Sequence, residues 1–353
     1  MHSNDKKQNN TLASSYGKKG LLVTLILVVS FIFNVLALWA PFTSLGSLFS
    51  GTLSCSLPYS AYLMWDESLY FIAILVVLFS ILFPFVKLCC LVYIWLIEKN
   101  KEKRNTLLKI VEPLGKWSML DVFATCIVLI LCNKQILIYG SPMIGVDFFL
   151  SAIFLSIIAS IIIDQLNDSG LEEKDSNPVA YAKKSLFSSF WYKLFIVIGL
   201  FISLIILVVA IIYPYLEITS FLLISYSYSI FDSVIALSNI SLVLSIFMLL
   251  TMIAFPILHN VSLLLYYILK LFAEKDYRWL ARLIKIFSRF NMLDVFLLGF
   301  VIFLVEGEAM VEIEHRLGIV LISLFIFIVL VVPQIIVILR KFLYCKSYKQ
   351  KFE

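Results

Sequence analysis

The amino-acid sequence predicts an all-α polytopic membrane protein, with eight transmembrane helices arranged as two parallel four-helix repeats. Three observations carry this expectation. The chain has 353 residues, 62% of them hydrophobic, and a mean hydropathy of +1.01. A soluble domain is closer to half apolar, so lipid must solvate much of this surface. The apolar residues gather in eight runs, each long enough to approach the roughly 20 residues that a bilayer span needs. Finally, the phrase "MLDVF" occurs twice, at 119–123 and 292–296.

The elements follow in order. The tail 1–20 is polar and carries four Lys. The first run, 21–41, ends at Pro41; it is too long for a signal-peptide core, and no small-residue cleavage site follows it, so it reads as a retained span. After an outer connection at 42–68 comes the second run, 69–97, which contains "FPFVK". A basic connection, 98–116, leads to a third run at 118–138 opened by "KWSMLDVF", and a fourth follows at 143–163. The polar stretch "DQLNDSGLEEKDSNP" marks a linker at 164–190. The order then recurs: runs at 191–213, ending at Pro214, at 231–268 with "FPILH", at 291–307 opened by "RFNMLDVF", and at 316–340, before a tail at 341–353. Backbone groups in lipid must be satisfied within the segment, and these runs are too long for barrel strands, so helices are the reading.

The marks repeat in register. Asp121 and Asp294, Pro41 and Pro214, and Gly145 and Gly318 are each 173 residues apart, and the two "FP" pairs are 172 apart. Four marks in one order argue for a duplicated unit, 21–163 and 191–340. An even number of spans per unit makes the copies parallel. Lys and Arg concentrate in 1–20, 98–116, 164–193, 269–289 and the tail after 339; the alternate connections have none. Basic loops stay on the cytoplasmic side, which places both termini there. The net charge of +5 reflects these loops and does not point to nucleic acid. Two of the basic connections mix Lys/Arg with Leu, Ile, Trp and Phe, a pattern suited to an amphipathic helix on an anionic leaflet; gathering headgroups and simple topology determination are both open readings.

The six cysteines form no metal pattern, and Cys55 has only Cys132 as a conceivable outer partner; free thiols are the expectation. Three histidines, no Gly-rich phosphate loop and no Ser-His-Asp arrangement argue against an enzyme, and no cofactor is expected.

Candidate functional residues are the polar groups inside apolar runs, which are costly there and usually face a bundle interior or wet cavity. In the first unit these are Lys87, Ser118 and Asp121; in the second, Thr251, His259, Asn291, Asp294 and Ser323. Lys87 and His259 occupy matching places after the "FP" prolines, with Asp121 and Asp294 as candidate partners. Ser118 and Asn291 stand three residues before their aspartates, the spacing of a capping box, so starting a helix accounts for the acids equally well. Thr251 and Ser323 either join a polar cluster or back-bond to their own helices. Lys134, Asp147, Glu306 and Glu308 lie near the outer ends, where shaping an exit and simply ending helices in water are both open readings.

Two four-span units with "WSMLDVF" opening a third span, and "FP" in the second, resemble the paraquat-inducible protein A (PqiA/LetA-like) family over about residues 15–343. The resemblance implies a bacterial inner-membrane protein that works with a periplasmic MCE-domain tunnel protein and moves phospholipids or other lipophilic molecules. Many members carry Cys-x-x-Cys zinc ribbons ahead of the repeats. The tail and linker here contain no Cys, so zinc is not expected. The resulting reading is a lipid-handling protein whose polar clusters hold headgroups, with protonation of His259 or Asp294 as a route to proton coupling. A proton-coupled secondary transporter of a small amphiphilic solute, and a passive anchor for the tunnel protein, are the rivals.

Overall fold

The computed structural model describes residues 12–15, 17–47, 51–132, 138–169, 186–219, 225–272, 277–307, 313–315 and 317–329. The chain divides into two compact units near residue 180, with Ala236–Ser245 and Leu298–Phe303 grouped with the first.

In the first half the order is α1 (Leu12–Ser15), α2 (Gly17–Trp39), β1 (Thr43–Ser47), β2 (Gly51–Cys55), α3 (Leu57–Asp66), α4 (Tyr70–Val76), a π-helical segment π1 (Val77–Leu82), α5 (Phe83–Leu96), α6 (Lys101–Trp117), α7 (Leu120–Cys132), β3 (Ile138–Pro142) and α8 (Ile144–Ser169). The second half runs α9 (Leu186–Ile212), β4 (Leu216–Thr219), β5 (Ser225–Tyr228), α10 (Ile230–Ser238), α11 (Leu242–Met248), π2 (Leu249–Ala254), α12 (Phe255–Phe272), α13 (Arg278–Phe290), α14 (Leu293–Gly307), β6 (Ile313–His315) and α15 (Leu317–Val329). From α2 and α9 onward the two lists match element for element.

The repeated marks now have physical roles. The Gly145 N–H donates to the Pro41 carbonyl at 3.0 Å, and the Gly318 N–H donates to that of Pro214 at 3.2 Å. A Cβ at Gly145 would lie 2.6 Å from the Pro41 oxygen, and one at Gly318 would lie 2.7 Å from that of Pro214. Only glycine allows this approach. The residue after each proline begins a sheet: the Phe42 N–H bonds the Cys55 carbonyl and the Tyr215 N–H bonds that of Tyr228. Both sheets are three-stranded and antiparallel, in the orders β2-β1-β3 and β5-β4-β6. They occupy the connections that carry no Lys or Arg. Cys55 in β2 and Cys132 at the end of α7 are free thiols.

Helices α2, α5, α6 and α8 share a core containing Val23, Leu27, Leu91, Trp95, Leu108 and Ile163. Interhelical hydrogen bonds add to it: Trp95 Nε1 donates to Thr24 Oγ1 at 3.0 Å, and Ser30 Oγ donates to the Ala152 carbonyl at 2.8 Å. Large apolar side chains such as Leu21, Leu25, Phe201 and Ile205 point outward, as expected of helices dissolved in lipid.

Six described segments are long and apolar enough to cross a bilayer: Gly20–Trp39, Tyr70–Leu96, Glu102–Cys132, Ile144–Asn167, Leu194–Ile212 and Leu242–Leu271. Two features differ from the expected layout. The basic connection 98–116 is itself helical and joins the third run, so that α6 and α7 form one long segment. The run 231–268 is broken at residues 239–241, which separates α10 from the span that follows. Helices α14 and α15 are apolar and are described as far as Gly307 and Val329. Residues 330–340 of the eighth run, Lys134, Glu308, Cys345, most of the 164–190 linker and the 341–353 tail lie outside the described residues. Asp147 sits in the first turn of α8.

Candidate functional site

Helix α5 carries Lys87 one turn beyond Pro84 and buries it to 2% exposure. Its Nζ donates to Ser156 Oγ on α8 at 2.7 Å, and Ser156 Oγ donates to the Ile153 carbonyl at 2.7 Å. Gly115 near the end of α6 makes room for the ammonium: a Cβ there would sit 2.6 Å from Lys87 Nζ. Upstream, π1 packs against the α6–α7 junction, with the Phe79 ring 5.4 Å from that of Trp117 and 5.0 Å from that of Phe83. Ser80, also in π1, is buried and its hydroxyl has no hydrogen-bond partner.

Asp121 lies in the first turn of α7 and is buried; its Oδ2 has no hydrogen-bond partner, so the expected ion pair with Lys87 is not made through that oxygen. The capping-box register is also off by one. The Met119 carbonyl accepts from the Phe123 N–H at 3.2 Å, and the Met292 carbonyl accepts from the Phe296 N–H at 2.9 Å. The methionines therefore stand in the N-cap position and the aspartates in the second helical position. Ser118 Oγ donates backward to the Leu114 carbonyl at 2.7 Å. In both copies "MLDVF" is the start of a helix; in the first, its acid is also buried.

The second half differs. Thr251 is fully buried in π2 and donates to the Phe247 carbonyl at 2.8 Å; Ser323 donates to that of Ile319 at 2.8 Å. Asn291 Oδ1 accepts a long 3.4 Å bond from the Leu293 N–H. Asp294 is exposed, whereas His259 is buried. The fully buried Asn260, beside His259, donates from Nδ2 to Ser203 Oγ on α9 at 2.8 Å, while its Oδ1 has no hydrogen-bond partner. Lys87 thus lies on α5 against Ser156 of α8 and Gly115 of α6, and Asp121 opens α7; both are buried in the first half. Ser80, Ser156, Ser203 and Asn260 went unnominated, because serines in apolar helices usually bond their own backbone and carry no distinguishing pattern.

Buried polar atoms nearly always find partners. Two that do not, a carboxylate oxygen and a hydroxyl, share one half with a buried ammonium. A buried polar atom left without a protein partner suits a proton, a water or the polar part of a passing ligand.

These features define a multi-pass helical membrane protein built by duplication, with polar groups buried among its helices. The family model described as paraquat-inducible protein A matches residues 22–167 and again 196–338, and the chain belongs to that family. No curated protein and no solved structure gives a significant match.

Proposed function

We propose that this chain is a lipid-handling protein of the bacterial inner membrane. In this reading it is not an enzyme; it passes phospholipids or other lipophilic molecules to or from a periplasmic MCE-domain tunnel protein, with eight spans in its bilayer and both termini cytoplasmic. Membership of the paraquat-inducible protein A family supports the membrane role. The observation that carries the mechanism is the buried Lys87 with the unpartnered oxygens of Ser80 and Asp121. A headgroup needs polar partners within the bilayer, while its tails rest against apolar helix faces such as those of α2 and α9. A proton exchanged at Asp121 would change the net charge of the buried polar groups of the first half and so the grip on an anionic headgroup. His259, buried in the matching place, is the corresponding titratable group of the second half.

The test has two parts. Mass spectrometry of the purified chain should find bound phospholipid, and a tagged chain should capture an MCE-domain protein. Lipid transfer in vesicles should depend on a proton gradient and fall at least about tenfold in Asp121→Asn, the loss expected when a positioned proton carrier is removed. Full transfer by that variant without any gradient dependence would exclude the coupling. A solute transporter predicts neither bound phospholipid nor an MCE partner. A passive anchor predicts that Asp121→Asn preserves envelope integrity while deletion of the chain does not.

A further inference from the structure

We infer that α13 is a recognition surface for anionic phospholipid headgroups and that α6, its counterpart in the first half, is not. The inference needs only that the chain lies in a membrane and stands whether or not it transports lipid. Helix α13 reads "RWLARLIKIFSRF" and contains no acidic residue. Its cations, Arg278, Arg282, Lys285 and Arg289, recur at spacings of four, three and four, which places them along one side of the helix. Leu280 is buried and Leu283, Ile284 and Phe287 are half-buried. The Phe287 and Phe290 rings pack 6.3 Å and 4.9 Å from that of Phe255, the first residue of α12. Arg289 is buried at the end of the row, whereas Arg282 and Lys285 are exposed, and Trp279, one turn before Arg282, is 54% exposed.

A helix fixed by one side to α12, with cations and an indole on its exposed surface, has the chemistry of an interfacial anchor. Arg and Lys meet phosphate oxygens, and the indole sits among headgroups. The absence of any carboxylate within the helix favours headgroups that carry net negative charge over zwitterionic ones. Helix α6 is built differently. Its cations are interleaved with Glu102 and Glu112, and its Leu108 and Val111 lie in the core shared with α2, α5 and α8. It is a bundle helix with a charged end.

The experiment compares three full-length proteins: wild type, Arg282→Gln/Lys285→Gln, and a charge-matched control in α6, Lys103→Gln/Lys109→Gln. Each is reconstituted in nanodiscs of phosphatidylethanolamine and phosphatidylglycerol, re-extracted in detergent, and its retained lipid quantified by mass spectrometry. Wild type should retain phosphatidylglycerol in excess of the supplied ratio. The α13 variant should lower that excess at least about threefold, while the α6 control keeps it. Equal retention by all three proteins overturns the inference; so does an equal fall in the α6 control, which would indicate unspecific charge. A second reading needs no charge variant. Brominated phosphatidylglycerol should quench the part of the fluorescence that Trp279→Phe removes more strongly than brominated phosphatidylethanolamine does; equal quenching also overturns the inference.

Discussion

At the scale of single residues, the tightest constraints are where backbone meets backbone. Gly145 and Gly318 each receive a proline carbonyl so closely that a methyl group would overlap it, and neither the carbonyl nor the glycine N–H can move without breaking the bond between them. Gly145→Ala and Gly318→Ala should each destabilise the fold by about 1–3 kcal/mol, the usual range for overpacking. Thermal unfolding in detergent measures this. Gly46→Ala is the contrast: the atoms nearest its Cβ belong to the outer part of the Tyr139 ring, which can swing aside, and the melting temperature should move much less. Lys87 and Ser156 offer a different kind of test. Their 2.7 Å contact makes them one unit, so Lys87→Met and Ser156→Ala should be non-additive, the double variant losing less stability than the two singles together. Additive losses would show that the two side chains act separately. Lys87 and Asp121 were legible in the sequence because an ionisable group in an apolar run is conspicuous. Ser80, Ser156 and Asn260 were not, since what distinguishes them is the presence or absence of a partner on another helix.

At the scale of elements, the "FP" pairs mark a change in helical winding. Each is preceded by a complete π-helical segment, Val77–Leu82 and Leu249–Ala254, 172 residues apart like the prolines themselves. Proline has no N–H to donate to the preceding turn, and a widened turn is one way for the helix to accommodate its ring. In the first half this turn holds Ser80 and Phe79 against the α6–α7 junction. Pro84→Ala restores the missing donor and removes the ring. The turn should then relax toward α-helical winding, rotating the chain upstream of residue 82 relative to α5. A cysteine placed at the buried Phe79 in an otherwise cysteine-free chain reports this: it should react slowly with a thiol reagent when Pro84 is present and several-fold faster when it is replaced by alanine. Equal rates would show that the π turn is held by packing and not by the proline. The sheets were illegible for a related reason. "TSLGS", "GTLSC" and "IYGSP" are short, rich in Ser and Gly, and lack the alternation that marks a strand, while "SYSY" alternates over only four residues; the third partner of each sheet arrives some ninety residues later. Helix α10 was hidden because only "SNIS" interrupts the apolar run around it.

At the scale of the whole molecule, duplication was the most secure reading, because a repeated order of marks survives errors in any single element. The matching sequence of helix, sheet, short helix, π turn and amphipathic helix in each half, and the family match to each half in turn, rest on that same periodicity. Span boundaries were read less well. Hydropathy fused what a three-residue break separates, and it split α6 from α7, which run almost without interruption from Lys101 to Cys132. Charge placement is independent of both errors, since it depends on where Lys and Arg are absent. Neither sheet contains a Lys or Arg, while α13 carries four. If the copies are parallel, both sheets face the side opposite α13. Ser54 and Ser227 are exposed strand residues, one in each sheet, and Arg282 is exposed on α13. In a cysteine-free chain, Ser54→Cys and Ser227→Cys should both react with a membrane-impermeant maleimide in intact spheroplasts, whereas Arg282→Cys should react only after the membrane is opened. Labelling of one strand position but not the other would make the repeats inverted, and would remove the shared orientation that the placement of Lys and Arg implies.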